Sequence, residues 1–313
     1  MSAGQSAREI LHHTIARECA RDVPQAVREF AQMFAARSAA RPLGIIFYGS
    51  ALRDGALDGV LDFYVLVDNL RGWHGSRLAA AANSVLPPNI EYHEFAAGDV
   101  RLRAKIAVLT GAQFARRCRA RSIDTSLWAR FSQPVAILWA RDDDARVRIE
   151  SHIVSAVIAA AHWAARLGPD RGKADAYWRA LYARTYGAEL RVERTGRADV
   201  LLDFAAPRYA ALLEPAWDAG GIIYTRDDDG ALHSHLSGSG RIRWALRRGI
   251  GKLLNLARLV KAAFTFTGGA DYIAWKIERH SQVKLNLSDW QRRHPVMAAP
   301  RIAWRLWRQG TLR

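Results

Sequence analysis

Early in the chain, an apolar run, Ile45-Ile46-Phe47-Tyr48, ends in Gly49-Ser50. After a short polar stretch a second run, Val60-Leu61-Asp62-Phe63-Tyr64-Val65-Leu66-Val67-Asp68, carries an acid near its start. A glycine lets the backbone approach a polyphosphate closely, and neighbouring N–H groups and a serine hydroxyl can donate to phosphate oxygens. A carboxylate on the following strand can hold Mg²⁺ against the same phosphates. Tyr48, Gly49 and Ser50 are therefore candidate nucleotide-binding residues and Asp62 a candidate metal ligand. Gly-Ser is also an ordinary turn, and an Asp at a strand start is ordinarily solvated. The second carboxylate that such sites place two residues on, on the same strand face, is absent, because Tyr64 stands there. Asp68 is the other candidate ligand on this run, although six residues of strand separate it from Asp62.

The pattern that must position these residues is mixed. Over residues 6–37, Ile10, Ile15, Val23, Val27, Phe30 and Phe34 fall at helical spacing, and Pro24 divides the run into two helices. Strands are expected at 44–48, 61–67, 90–95, 101–109 and 134–139, the third and fourth surrounding a Gly98-Asp99 turn. Helices are expected at 76–85, stopped by Pro87-Pro88, and at 112–119. Asp142-Asp143-Asp144 offers a helix N-cap. It reads as a solvated boundary and not as a metal site, because adjacent residues point in different directions. Helices follow at 148–166 and 173–186, with a shorter one around 208–218 and a hairpin through 222–233. Ser237-Gly238-Ser239-Gly240 reads as a flexible linker.

The continuation of the second run, Asp62-Phe63-Tyr64-Val65-Leu66-Val67-Asp68 and then Trp73-His74, resembles the signature of the soluble, mitochondrial-type phosphatidate cytidylyltransferases, bacterial-like members included. Those enzymes share the nucleotidyltransferase layout of DNA polymerase beta. Further matches follow in order: Leu102, Lys105 and Val108; Ala129-Arg130-Phe131-Ser132-Gln133-Pro134-Val135; and Tyr186-Gly187-Ala188-Glu189-Leu190-Arg191. The resemblance covers roughly residues 45–191 and weakens beyond. It implies an Mg²⁺-dependent enzyme that moves CMP from CTP to phosphatidic acid, giving CDP-diacylglycerol and pyrophosphate. It implies Lys105 and Arg130 as phosphate-neutralising catalytic residues, Glu189 as a further metal ligand and Arg191 as a nucleotide contact. His74 would orient a phosphate, act as a base, or serve a structural role beside Trp73. The fold class expected is α/β (α+β): a nucleotidyltransferase-type mixed sheet with helices over residues 1–141, a small, mainly helical, winged-helix-like domain over 142–236, and a basic amphipathic region over 237–313.

Composition fits a globular enzyme. Half of the 313 residues are hydrophobic, enough for a sizeable core. Cys19 and Cys118 offer neither a disulfide framework nor a metal-ligand spacing, which suits a reducing compartment. The first residues lack the apolar core of a signal peptide, so a cytoplasmic protein is expected, peripheral on the inner face of a membrane. Lys and Arg exceed Asp and Glu by 46 to 30, a formal charge of +16. Such an excess suits an anionic partner, although an arginine-rich composition without specific meaning would also produce part of it.

The excess gathers toward the end. Residues 241–266 repeat Ile242, Leu246, Ile250, Leu253, Leu256, Leu259 and Val260 between Arg243, Arg247, Arg248, Lys252, Arg258 and Lys261, a basic amphipathic helix. Trp304 and Trp307 stand among arginines near the end. Arg247, Arg248, Lys252, Trp304 and Trp307 are the candidate membrane contacts; packing of the same helices on the protein core is the competing reading. The partners expected are CTP, phosphatidic acid and an anionic membrane surface, with Mg²⁺ as cofactor and no DNA. Two functions of other classes stay open: an RNA or tRNA nucleotidyltransferase, disfavoured by the missing Asp-x-Asp pair, and a catalytically inactive membrane- or RNA-binding scaffold.

Overall fold

A computed structural model describes residues 3–98, 100–186, 197–281, 287–293 and 297. Pro24 divides the N-terminal run as its fixed φ and missing N–H require, giving α1 (Ala3–Cys19) and α2 (Gln25–Ala35). β1 (Pro42–Tyr48) leads into the five-residue helix α3 (Ser50–Asp54), and β2 (Val60–Val67) into α4 (Leu70–His74) and α5 (Arg77–Val85). β3 (Asn89–Ala97), β4 (Val100–Thr110), α6 (Gly111–Arg117), α7 (Ser126–Phe131) and β5 (Ala136–Ala140) follow. The Asp142 side chain accepts from the Ala145 N–H at 2.6 Å and starts α8 (Asp143–Leu167), so the acidic triplet is a cap. Next come α9 (Ala174–Tyr186), α10 (Arg197–Phe204), α11 (Ala206–Gly220) and a small hairpin of β6 (Tyr224–Arg226) and β7 (Leu232–Ser234). α12 (Arg241–Thr265), α13 (Gly269–Ser281) and α14 (Asp289–Arg293) complete the described chain.

The fold is the mixed α/β type expected. One five-stranded sheet has the order β3-β4-β2-β1-β5; β2 and β4 run parallel and every other neighbouring pair is antiparallel. Side chains alternate across it with period two. Ile45, Phe47, Phe63, Val65, Ile106 and Val108 enter one apolar layer with Val27, Phe30 and Phe34 of α2. Ile46, Tyr64, Leu66, Ala107 and Leu109 enter a second layer with α1, α8, α9 and α11. Helices on both faces explain why β1 and β2 read as nearly continuous apolar runs. The second layer holds residues from both sides of position 142, so the helices after the acidic triplet share a core with the sheet. Tyr177 Oη donates to the Leu232 carbonyl at 2.8 Å and fastens the hairpin to α9.

The Ser237–Gly240 segment, expected as a flexible linker, is tied down. Ser237 Oγ donates to Asp170 Oδ1 at 2.6 Å, Arg166 Nη1 donates to Ser239 Oγ at 2.9 Å, and a Cβ on Gly240 would lie 2.8 Å from Arg166 Cβ. The linker composition fits this packing as well, because small residues permit the close approach to α8. Cys19 and Cys118 are buried free thiols whose pKa values burial raises.

A buried carboxylate fastens α4 to the edge of the sheet. Glu91 on β3 is 4% exposed and accepts from Trp73 Nε1 at 2.7 Å. His93 Nε2 lies 2.9 Å from its Oε2, and His74 Nδ1 lies 3.4 Å from its Oε1. His74 Nε2 in turn accepts from the Asn83 side-chain amide at 3.0 Å. Burial by itself would raise the Glu91 pKa; the hydrogen bonds from His74, His93 and Trp73 outweigh it and hold the carboxyl at about 2. Because the folded value lies below the unfolded one, Glu91 contributes its stability above about pH 4 and loses it as pH falls toward 2. Glu91→Gln is therefore expected to cost on the order of 3 kcal/mol at neutral pH. In denaturant unfolding at a series of pH values, the gap to the parent should close as pH falls below about 4. A gap independent of pH would show that the charge contributes nothing.

Candidate active site

The sheet register assembles the site. Tyr92 on β3, Lys105 on β4, Asp62 on β2 and Tyr48 on β1 lie side by side in one row across four strands. Leu61 and Phe63 enter the α2 layer, so alternation turns Asp62 to the other face, where it is half-buried. Lys105 lies between Ala104 and Ile106, which enter the α2 layer, and so shares the face of Asp62. The parallel pairing of β2 with β4 thus puts a carboxylate and an ammonium on adjacent strands at one level.

Gly49 closes this end of the row. It sits at φ 98° and ψ −164°, a conformation that favours glycine. A Cβ there would lie 2.8 Å from Asp62 Oδ2. The backbone at the end of β1 therefore rests against the Asp62 carboxylate, and the missing side chain is what permits it. Ser50 follows as the first residue of α3 and is exposed. The glycine–serine turn and the strand carboxylate, joined in the sequence only by order, are in contact in the fold.

Tyr64 occupies the place of the missing second carboxylate. It is buried on the face of Asp62, and its hydroxyl accepts from Arg130 Nη1 at 2.9 Å. The Arg130 guanidinium lies 5.1 Å from the centre of the Tyr48 ring, and the Tyr48 and Tyr64 rings are 5.3 Å apart. α7 carries Arg130 inward because Leu127, Trp128 and Phe131 are buried around it. The position that would add a negative charge instead holds a guanidinium beside the row. In the sequence Tyr64 marks only a gap in the motif; no local spacing shows it as the partner of Arg130.

Lys105 has a neighbour that sequence reasoning missed. Its Nζ stands 4.2 Å from the centre of the Tyr272 ring on α13, which also lies 5.6 Å from Tyr92. Arg103, two residues before Lys105, lies 5.4 Å from the Trp275 ring one turn further along α13. Arg279 on the same helix donates to Asp58, just before β2, at 3.1 Å. α13 thus covers the β4 side of the row with aromatic rings, and nothing in the sequence near Lys105 announced it.

Other candidates are placed elsewhere. Asp68 lies past the far end of β2, about 20 Å of strand from Asp62, where it pairs with Arg141 at 2.7 Å. It is therefore no co-ligand of Asp62. His74 is committed to Glu91 and Asn83, and Glu91 neighbours Ile106 on the opposite face from Lys105. It orients a structural carboxylate and not a phosphate. Arg247 is turned inward: it donates to the Ser122 carbonyl at 3.3 Å and lies 4.4 Å from the Trp163 ring, which corrects its assignment to a membrane-facing surface. Glu189 and Arg191, like Trp304 and Trp307, lie outside the described residues.

Among the described residues no group of three or more His, Cys, Asp or Glu side chains could hold a metal ion. The row supplies one carboxylate, and its Oδ2 lies against a glycine that leaves space above it. That donor set suits a hard cation that arrives with a polyphosphate, because Mg²⁺ takes one or two protein carboxylates and completes its shell with phosphate and water oxygens. Gly49→Ala tests the contact that defines the site. Both the positive φ and the close approach to Asp62 penalise a methyl group, so a loss on the order of 1–3 kcal/mol in unfolding free energy is expected. Gly55→Ala, also at positive φ but with nothing within 4 Å of its Cβ, should cost less. Equal losses in the two variants would remove the Asp62 contact from the account.

No protein-family model matches this chain, and no curated protein matches it.

Proposed function

We propose that this protein is a nucleotidyltransferase that moves CMP from CTP to a lipid phosphate, phosphatidic acid, releasing pyrophosphate. The observation that carries the proposal is the seat of Gly49 on the Asp62 carboxylate, with Lys105 on the adjacent strand and Arg130 held beside it by Tyr64. The order of the Tyr48-Gly49-Ser50, Asp62, Lys105 and Arg130 segments, which resembles the phosphatidate cytidylyltransferases, supports the choice of nucleotide and acceptor.

In the reaction a phosphate oxygen of the acceptor forms a bond to the α-phosphorus of CTP as the bond from that phosphorus to the bridging oxygen of the β-phosphate breaks, in line. The electron pair leaves with pyrophosphate. No covalent intermediate on the protein is required, so the residues position groups and offset charge. Gly49 gives the triphosphate backbone access at the end of β1, and Ser50 donates to it. Asp62 would hold Mg²⁺, which when bound offsets charge on the phosphate oxygens. Lys105 and Arg130 face the same region with positive charge and stabilise the negative charge of the leaving group. Tyr64 fixes the direction of the Arg130 guanidinium, so that little reorganisation is needed as charge develops. With a lipid acceptor, turnover takes place at a membrane surface and the protein associates with it peripherally.

Transfer of label from α-labelled CTP, with phosphatidic acid or RNA as acceptor, tests the proposal. Asp62→Asn should fold and lose activity by about 10²-fold or more, since loss of a metal's charge stabilisation is worth several kcal/mol. Ser50→Ala and Lys105→Ala should each weaken CTP binding in calorimetric titration. Labelled RNA with unlabelled lipid would establish the polynucleotide reading, and near-parental turnover by Asp62→Asn would remove the site altogether.

A further inference from the structure

α12 is mounted with Arg247, Arg258 and Lys261 inward and a stripe of aliphatic side chains outward. Lys261 Nζ donates to the carbonyls of Leu86 and Pro88, each at 2.6 Å, and to Asn89 Oδ1 at 2.7 Å. Arg258 donates to the Pro87 carbonyl at 3.1 Å and pairs with the buried Asp124, which Arg117 also holds at 2.6 Å. Arg247 reaches the Ala120 and Ser122 carbonyls, and Trp244 is buried against Trp163 and Trp128. These inward residues follow one another at helical spacing and use the polar face of the helix to bind the protein.

The opposite face is consequently bare. Ile242, Leu246, Leu253, Leu256, Val260 and Phe264 are between 55% and 87% exposed. At 100° per residue they fall on one stripe, which runs most of a helix about 37 Å long. Arg241, Arg248 and Lys252 are exposed along one flank of that stripe and Arg243 along the other. No Asp or Glu occurs anywhere in Arg241–Thr265. A contiguous apolar surface of this length on a folded protein marks a docking surface.

Charge decides the occupant. A second copy of the chain meeting this face about a two-fold axis would bring two acid-free, cationic helices together. The C-terminal segment after residue 297 carries Arg301, Arg305, Arg308 and Arg313 and is likewise basic. A nucleic acid would satisfy the arginines and leave the leucines in water. We infer that the outward stripe of α12 is the face by which this protein lies on an anionic lipid surface, with the aliphatic side chains at the acyl boundary and Arg241, Arg243, Arg248 and Lys252 among the headgroups. The inference rests on the exposure and charge of α12 and does not require the transfer reaction.

Flotation of the full chain with vesicles of equimolar phosphatidylglycerol and phosphatidylcholine, and with vesicles of phosphatidylcholine alone, tests it. The parent should bind the first and bind the second weakly, and added salt should weaken binding. Leu253→Glu with Val260→Glu should reduce partitioning into the anionic vesicles by more than about tenfold, since two aliphatic side chains that would enter the acyl boundary are replaced by charges. Arg248→Glu with Lys252→Glu should reduce it while leaving the apolar stripe intact. Both pairs are exposed, and an unchanged thermal melt will show that the fold is retained. Parental binding by the Leu253/Val260 variant overturns the inference. So does a parent dimer that this variant dissolves without any change in vesicle binding. Turnover of a water-soluble, short-chain phosphatidic acid by the parent separates the two proposals: transfer without flotation overturns the docking face alone, and flotation without transfer overturns the proposed reaction alone.

Discussion

β2 is packed on both faces, and Asp62 is its only charged residue. Leu61, Phe63, Val65 and Val67 are fixed beneath α2, while Tyr64 and Leu66 are fixed in the layer shared with α1 and α8. A slip of one residue in register would exchange these sets and drive Asp62 into the phenylalanine layer, where an unpaired carboxylate would neutralise or unfold the region. The carboxylate is confined to the one face and the one end of the strand where packing gives way to the Gly49 turn. Everything proposed for the site depends on that confinement: Gly49 can rest on Asp62, Lys105 can stand next to it, and Tyr64 can hold Arg130, only in this register. The hydrophobic layers that stabilise the sheet are also what aims its chemistry.

The two faces treat charge in opposite ways. On the α2 face, Glu91 is desolvated, and Trp73, His74 and His93 surround it. Such a carboxylate is already committed to the protein's own donors, with Arg37 a further 3.7 Å from its Oε2, and removing one partner would leave a buried charge less well compensated. On the other face, Asp62, Lys105 and Arg130 are only half-buried, and their side chains come from three different elements. Partial burial keeps the local dielectric low enough for charge to act strongly, while leaving room for a substrate. This difference separates His74 from the site more firmly than any sequence spacing could, since His74 and Trp73 stand only a few residues beyond β2.

Much of the frame was legible because it is periodic. The apolar runs located all five strands of the main sheet, Pro24 divided α1 from α2, and the acid triplet marked the start of α8. The contact of the Gly49 turn with Asp62 follows from the antiparallel pairing of successive runs. What was not legible depends on pairing across long separations. Tyr64 meets Arg130 from 66 residues away, and Tyr272 covers Lys105 from α13 with no motif to announce it. Asp68 was a candidate because it lies on the same strand as Asp62, yet strand length alone separates them. The amphipathic period of α12 was plain from the sequence, but period does not say which face turns inward. The expectation that Arg247 faces outward failed because carbonyl groups and Asp124 offered the cations of that face better partners than water.

The inverted mounting of α12 bears on the site through the chain that follows it. The Tyr92 N–H donates to the Thr267 carbonyl at 2.8 Å, so the segment after α12 attaches to the free edge of β3. Gly268 follows at φ 72°, where a Cβ would lie 2.4 Å from the Tyr92 carbonyl oxygen. This close approach turns the chain directly into α13. Four residues after the glycine, Tyr272 stands over Lys105 and against Tyr92, so the row that contains Asp62 is continued by the α12–α13 junction. α12 is therefore joined to the edge strand and to the ring above Lys105 by that backbone hydrogen bond, by the Gly268 turn and by the hydrogen bond of Lys261 to Asn89. The face inferred to meet lipid and the residues proposed to handle phosphate are thereby linked through the edge of the sheet.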